Sequence, residues 1–100
     1  MIKLVALFKR PQDTGEFDAH YADVHAPLMR KVPGLERMEV TRNLQAFRGE
    51  PVYYLGAEMY FRDRESFDAA MSSEENRAAG KDLMGFAREY VTLFYGEVEG

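Results

Sequence analysis

VYYLGAEMYF, residues 52–61, is the stretch whose reading decides the fold. It contains three tyrosines and a phenylalanine and no proline, so it predicts a β-strand, because aromatic and β-branched side chains pack well on a pleated surface. Successive residues of a strand point to opposite faces. Leu55, Ala57, Met59 and Phe61 therefore share one face, able to meet a layer of helices, while Val52, Tyr54, Gly56, Glu58 and Tyr60 share the other. The second row is too apolar to leave in water. It predicts a homodimer closed sheet against sheet through the helix-free face.

The flanking elements follow by working outward. IKLVALF (residues 2–8) is apolar on both parities and predicts a central strand. Pro11 ends it, and Asp13 with Glu16 forms a capping box opening a helix in which Phe17, Tyr21, Val24 and Leu28 recur at helical spacing, ending near Lys31. VPGL (32–35) is turn chemistry. LERMEVTRNL (35–44) predicts a second, half-exposed strand, joined through a Gly- and Pro-containing hairpin loop to the third. Asp63 is placed to cap a short helix carrying Phe67, Ala70 and Met71. Ser72 and Glu75 then form a second capping box, and Ala79, Leu83, Phe86, Ala87 and Tyr90 a helical stripe. VTLFYGEV (91–98) predicts the fourth strand. The order βαββαβ specifies an α+β architecture over residues 1–100 as a single domain, the ferredoxin-like split βαβ with a four-stranded antiparallel sheet and its helices on one face.

Composition narrows the function classes. The formal charge of −4, from 13 basic and 17 acidic residues, argues against nucleic acid and anionic membranes as partners. There is no cysteine, which excludes disulfides, thiolate metal sites and a cysteine nucleophile. The apolar start MIKLVALF is too short to span a membrane, and it lacks a small-residue cleavage site, so the chain is expected to be soluble and cytoplasmic. No phosphate-binding glycine loop, nucleophile elbow or dinucleotide fingerprint is present, and no cofactor is expected.

Both histidines lie in HYADVHAPL (20–28). At about 100° per residue, His20 and His25 flank the Phe17 stripe about 140° apart, so a regular helix cannot bring them to one metal ion, and none is expected. His25 stands two residues before Pro27, where a proline is expected to break or kink the helix and aim the ring into a cavity. That position suits a general acid or base. A histidine that hydrogen-bonds disturbed backbone explains the same residue without chemistry, and a satisfied core-edge histidine explains His20. Glu58 needs a basic partner such as Arg42, or solvent in a cavity. Tyr21, Tyr54 and Tyr60 are candidates to donate to a bound oxygen.

FDAHYADVHAPLMRKVPGLERMEV (17–40) resembles the signature of EthD-like proteins: a histidine, a second histidine followed by Ala-Pro-Leu, and a Pro-Gly-Leu turn. AEMYFRDRESFDAAMSSEENRAAGKDL (57–83) is similar to that family's third strand and second helix, so the likeness covers nearly the whole chain. The resemblance implies a dimeric α+β barrel. It places His20 and His25 on the family's two histidines and Glu58 on its third-strand glutamate, with a small organic ligand between helices and sheet bordered by His25. The wider superfamily includes isomerases, polyketide cyclases, quinol-forming monooxygenases and haem enzymes, so the fold alone chooses no chemistry.

The first functional expectation is a protein acting on a small, largely apolar organic metabolite by cofactor-independent proton transfer, isomerisation or cyclisation, or as an accessory to catabolic oxidation. His25 would be the acid or base, with His20, Tyr21, Glu58, Tyr54 and Tyr60 around the substrate. An oxidoreductase activity would need an external electron source. The alternative is a non-catalytic ligand-binding or stress-type homodimer. An RNA-recognition module shares the strand order but would carry a basic-Gly-aromatic signature that residues 52–61 lack. Haem binding through His25 is a further alternative, tested by Soret absorption.

Overall fold

Ile2–Phe8 form β1, and their two-sided apolar character matches their place inside the sheet, between two other strands. In the computed structural model, which describes all 100 residues, the sheet order is β2-β3-β1-β4, with β2 Leu35–Arg42, β3 Leu55–Phe61 and β4 Val91–Glu97, every neighbouring pair antiparallel. The connections are α1 (Thr14–His20), a π-helical turn (Tyr21–His25) and α2 (Ala26–Arg30) between β1 and β2, then α3 (Arg64–Met71) and α4 (Glu74–Ala87) between β3 and β4. This is the ferredoxin-like α+β arrangement that the order of elements specifies. No helix is long and apolar enough to cross a membrane.

Register fixes the faces. Ala6 pairs with Ala57 and Leu93, and Leu4 with Met59 and Tyr95, so these positions share a face with Phe8, Leu55 and Phe61. They meet Phe17, Tyr21, Met29, Phe67, Ala79 and Leu83 from the helical layer to make the core. At roughly 25 cal/mol per Å² of apolar surface, this burial is the main term holding the helices down.

Helix starts follow their caps. The Asp13 carboxylate accepts from the Glu16 amide at 3.0 Å, and that of Asp63 accepts from the Ser66 amide at 2.8 Å. The third cap is Ser73, which accepts from the Asn76 amide at 3.1 Å, not Ser72 as the spacing to Glu75 suggests. Ser72 closes the preceding helix instead, its hydroxyl donating to the Asp68 carbonyl at 2.8 Å.

Pro27 does not break its helix. Ala26, just before it, stays helical at φ −59°, ψ −43°, and its amide donates to the Tyr21 carbonyl, five residues back. A proline removes one amide and crowds the carbonyl four residues upstream. The chain absorbs both effects by widening one turn ahead of Pro27, and α2 then carries the proline in its first turn, where no amide is needed.

The helix-free face also differs from its expected composition. β3 begins at Leu55, so Tyr54 lies outside the alternation. Its amide donates to the Phe8 carbonyl at 2.7 Å and its ring packs edge-on to Phe17, which puts it on the helix side. Glu58 pairs with Lys3 at 2.7 Å, within the chain, and Arg42 pairs with Asp18 at 3.4 Å instead. The Tyr60 hydroxyl donates to Glu39 at 3.1 Å while the Arg37 guanidinium lies 4.1 Å from its ring centre. Charged and aromatic groups thus alternate across this face around Val5, Leu7 and Phe94. β4 is an edge strand on which Leu93, Phe94 and Tyr95 are each about half exposed.

Candidate functional site

The widened turn decides where the two histidines go. In an α-helix residues five apart diverge by about 140°, but in a π-helical turn residue i bonds to i+5 and returns near the same side. His20 ends α1 and His25 ends the π-helical turn, so both rings reach one side chain on α4. His20 Nε2 lies 2.8 Å from Asp82 Oδ1 and His25 Nδ1 3.1 Å from Asp82 Oδ2. The Phe86 ring, one helical turn beyond Asp82, packs on both imidazoles, with centroid distances of 4.3 Å to His20 and 5.2 Å to His25.

Charge sets the proton positions. An ionised carboxylate only accepts, so the nitrogen facing it carries the hydrogen in each ring. A neutral ring in this arrangement is the Nε2–H tautomer at His20 and the Nδ1–H tautomer at His25, with Nδ1 of His20 and Nε2 of His25 as the lone-pair nitrogens. Burial holds the His25 pKa below its ordinary value of 6.5 against the opposing pull of Asp82, with nearby His20 adding to the depression. His25 is therefore neutral at neutral pH. Burial also pushes the Tyr21 phenol up to about 12.

The rings differ in access. A cleft of about 860 Å³ runs between α1 and α4, walled by Glu16 and His20 on one side and by Lys81, Asp82 and Gly85 on the other. Phe17, Phe86 and Tyr90 give it an aromatic floor. The His20 side chain is 32% exposed and lines this cleft, whereas that of His25 is 6% exposed and does not. The expectation that His25 borders the cavity is thus reversed, because the π-helical turn folds His25 beneath Asp82 and leaves His20 at the wall. The cleft also lies between the helices and not between helices and sheet.

The remaining candidates are dispersed. Tyr21 packs against Phe8 and His25 and opens on a separate groove. The Tyr54 hydroxyl donates to the Asp18 carboxylate at 2.8 Å, a bond that holds its pKa above the ordinary phenol value. Glu58 and Tyr60 lie across the sheet from the cleft. No group of three or more His, Asp or Glu side chains is arranged to hold a metal ion. Asp82, Lys81 and Gly85 were invisible as site residues in the sequence. The available signal was a carboxylate only about 60° from Ala79 on the apolar side of α4, a costly place unless paired.

Comparison with known proteins fixes the family. Residues 9–89 match the EthD domain. This chain belongs to the EthD family. A crystal structure of an ethyl tert-butyl ether D (EthD) family protein from Bacillus halodurans C-125 is 48% identical, with 99% of each chain covered and a TM-score of 0.94. An EthD-like protein from Ralstonia eutropha JMP134 is 19% identical over 99% of this chain and 92% of its own, with a TM-score of 0.72. HapK from Hahella chejuensis is 20% identical over 100% and 94%, with a TM-score of 0.69. At such identities the last two share the fold. Among curated proteins none matches this EthD-family chain.

Proposed function

We propose that this protein is a proton-transfer catalyst for a small organic molecule with a largely apolar body and one polar group, working as a homodimer. The observation that carries the reading is a single carboxylate held by two imidazoles, one of which fronts a cleft with an aromatic floor. In this reading His20 is the base, taking a proton from substrate at Nδ1. Asp82 orients its ring and stabilises the imidazolium that forms, and His25 acts as a positioning residue by fixing the second oxygen of Asp82. General acid–base chemistry of this kind uses only the chain's own groups. The product would then be an isomer or a cyclised form of the substrate, or an intermediate handed to a separate oxidation. The cleft's lining, with Asp13, Glu16 and Asp82 against Lys81, favours neutral substrates over anionic ones.

Support for the dimer comes from structures of similar fold described as dimeric ferredoxin-like proteins, from Thermobifida fusca, Bacteroides fragilis and Jannaschia. The helix-free face, with Val5, Leu7 and Phe94 among its charged pairs, is the surface for a second copy.

The reading is tested by proton exchange at carbon. Phenylacetone, small, apolar and enolisable, is incubated with the protein in D₂O and exchange of its methylene protons followed by NMR. Catalysed exchange is expected, falling by roughly 100-fold or more in His20→Ala with the fold intact. A rate no faster than that of free imidazole, with phenylacetone nevertheless bound in the cleft, would favour the non-catalytic ligand-binding dimer.

A further inference from the structure

A second groove, of about 250 Å³, opens on the opposite side of the same π-helical turn, between that turn and β2. It is lined by the apolar Ala22, Ala26, Pro27 and Val40 and by two arginines, Arg30 and Arg42. Tyr21 contributes the remaining polar group. This residue is 2% exposed, and its hydroxyl makes no hydrogen bond within the chain. Yet no buried side-chain nitrogen or oxygen is left unpaired, so the hydroxyl is not sealed in, and Tyr21 lines the groove. Arg42 and Arg30 line the same groove as Tyr21, and both favour its phenolate form against the effect of burial.

The two arginines are not equivalent. Arg42 contacts Asp18 at 3.4 Å, so part of its charge is already balanced, whereas Arg30 meets no carboxylate in the chain. A buried phenol and an arginine without a carboxylate partner, lining one groove, suit a planar anion, since a guanidinium fork matches a carboxylate in two parallel hydrogen bonds. Methyl and pyrrolidine walls leave the rest of the groove without hydrogen-bonding groups. A fully polar anion such as phosphate would lose hydration there without replacement.

We propose that this groove binds a small carboxylate bearing an apolar group, held by Arg30 and the Tyr21 hydroxyl with its apolar part against Pro27 and Val40. The site is separate from the His20 cleft and does not depend on catalysis there.

The test is an amide-resonance NMR titration of the whole protein with sodium benzoate, sodium acetate and sodium phosphate at constant ionic strength. Benzoate is expected to saturate, moving the amides of Ala22, Ala26 and Val40, and to bind roughly tenfold more tightly than acetate because its ring is buried. Arg30→Gln, at an exposed position, and Tyr21→Phe, which keeps the ring packed on Phe8, are each expected to weaken benzoate by roughly five- to twentyfold. No saturation, shifts confined to residues around His20, equal binding of phosphate, or unchanged affinity in Arg30→Gln would each overturn the proposal. If Tyr21→Phe fails to fold, Arg30→Gln decides it alone.

Discussion

Two carboxylates in this molecule meet a basic group at nearly the same distance, Asp82 at 2.8 Å from His20 and Glu58 at 2.7 Å from Lys3. Their surroundings separate them. Within one subunit Glu58 and Lys3 are each about one-third exposed on the helix-free face, so removing either leaves its partner at the subunit surface and not sealed in the core. Asp82 is 17% exposed, and its second oxygen accepts from a buried imidazole under the Phe86 ring. Distance alone therefore does not rank the pairs. What ranks them is what is left unpaired when one member is removed, and only Asp82 leaves a buried donor without an acceptor.

The largest expected effect accordingly comes from Asp82→Ala. It strands the His25 Nδ1–H and frees both rings, costing about 2–3 kcal/mol in denaturant unfolding and lowering carbon-acid exchange by roughly 100-fold or more. Asp82→Asn sharpens the comparison, because one amide oxygen can serve only one ring as acceptor. It should recover part of the stability and little of the exchange. If Asp82→Ala melts like the parent chain, the seam between α1 and α4 is no more consequential than the sheet surface.

Next come the histidines, which should separate stability from chemistry. His25→Ala empties a buried position and should cost about 2 kcal/mol, whereas His20→Ala, at the cleft wall, should cost under about 1 kcal/mol yet lower exchange by roughly 100-fold or more. The pH dependence has a definite sign. With the folded pKa of His25 held below 6.5, the unfolded chain takes up this proton first as pH falls. The associated stability is complete above about 6.5 and is lost as pH falls from there through the folded value. Melting temperature should therefore decline on acidification below that point, and His25→Ala should flatten the decline. The smallest effect belongs to the other pair: Glu58→Gln should leave the melting temperature nearly unchanged, as differential scanning calorimetry will show, and a large drop would place the sheet surface on a par with the seam.

The fold was largely legible because hydrophobic period and caps are local signals. Residues 2–8 announced a central strand, the parity of Leu55 to Phe61 gave the core face, and Asp13 and Asp63 marked two helix starts where the caps are found. The face of Tyr54 was misassigned because the alternation was extended upstream of the point where the strand begins. The site was legible only in half. His20 and His25 stood out by type, but counting at 100° per residue set them apart, and nothing local reports that Pro27 converts the preceding turn to a π-helix. Their shared partner lies 62 and 57 residues away and becomes visible only when α4 is laid beside α1.

The most direct check is the protonation pattern of the two rings, read from long-range ¹⁵N–¹H correlations of the histidine side chains at neutral pH. If one carboxylate holds both, the rings occupy opposite tautomers, Nε2–H for His20 and Nδ1–H for His25, and Asp82→Ala releases both patterns together. Identical tautomers in the two rings, or spectra unchanged by Asp82→Ala, would contradict the shared carboxylate and the chemistry built on it.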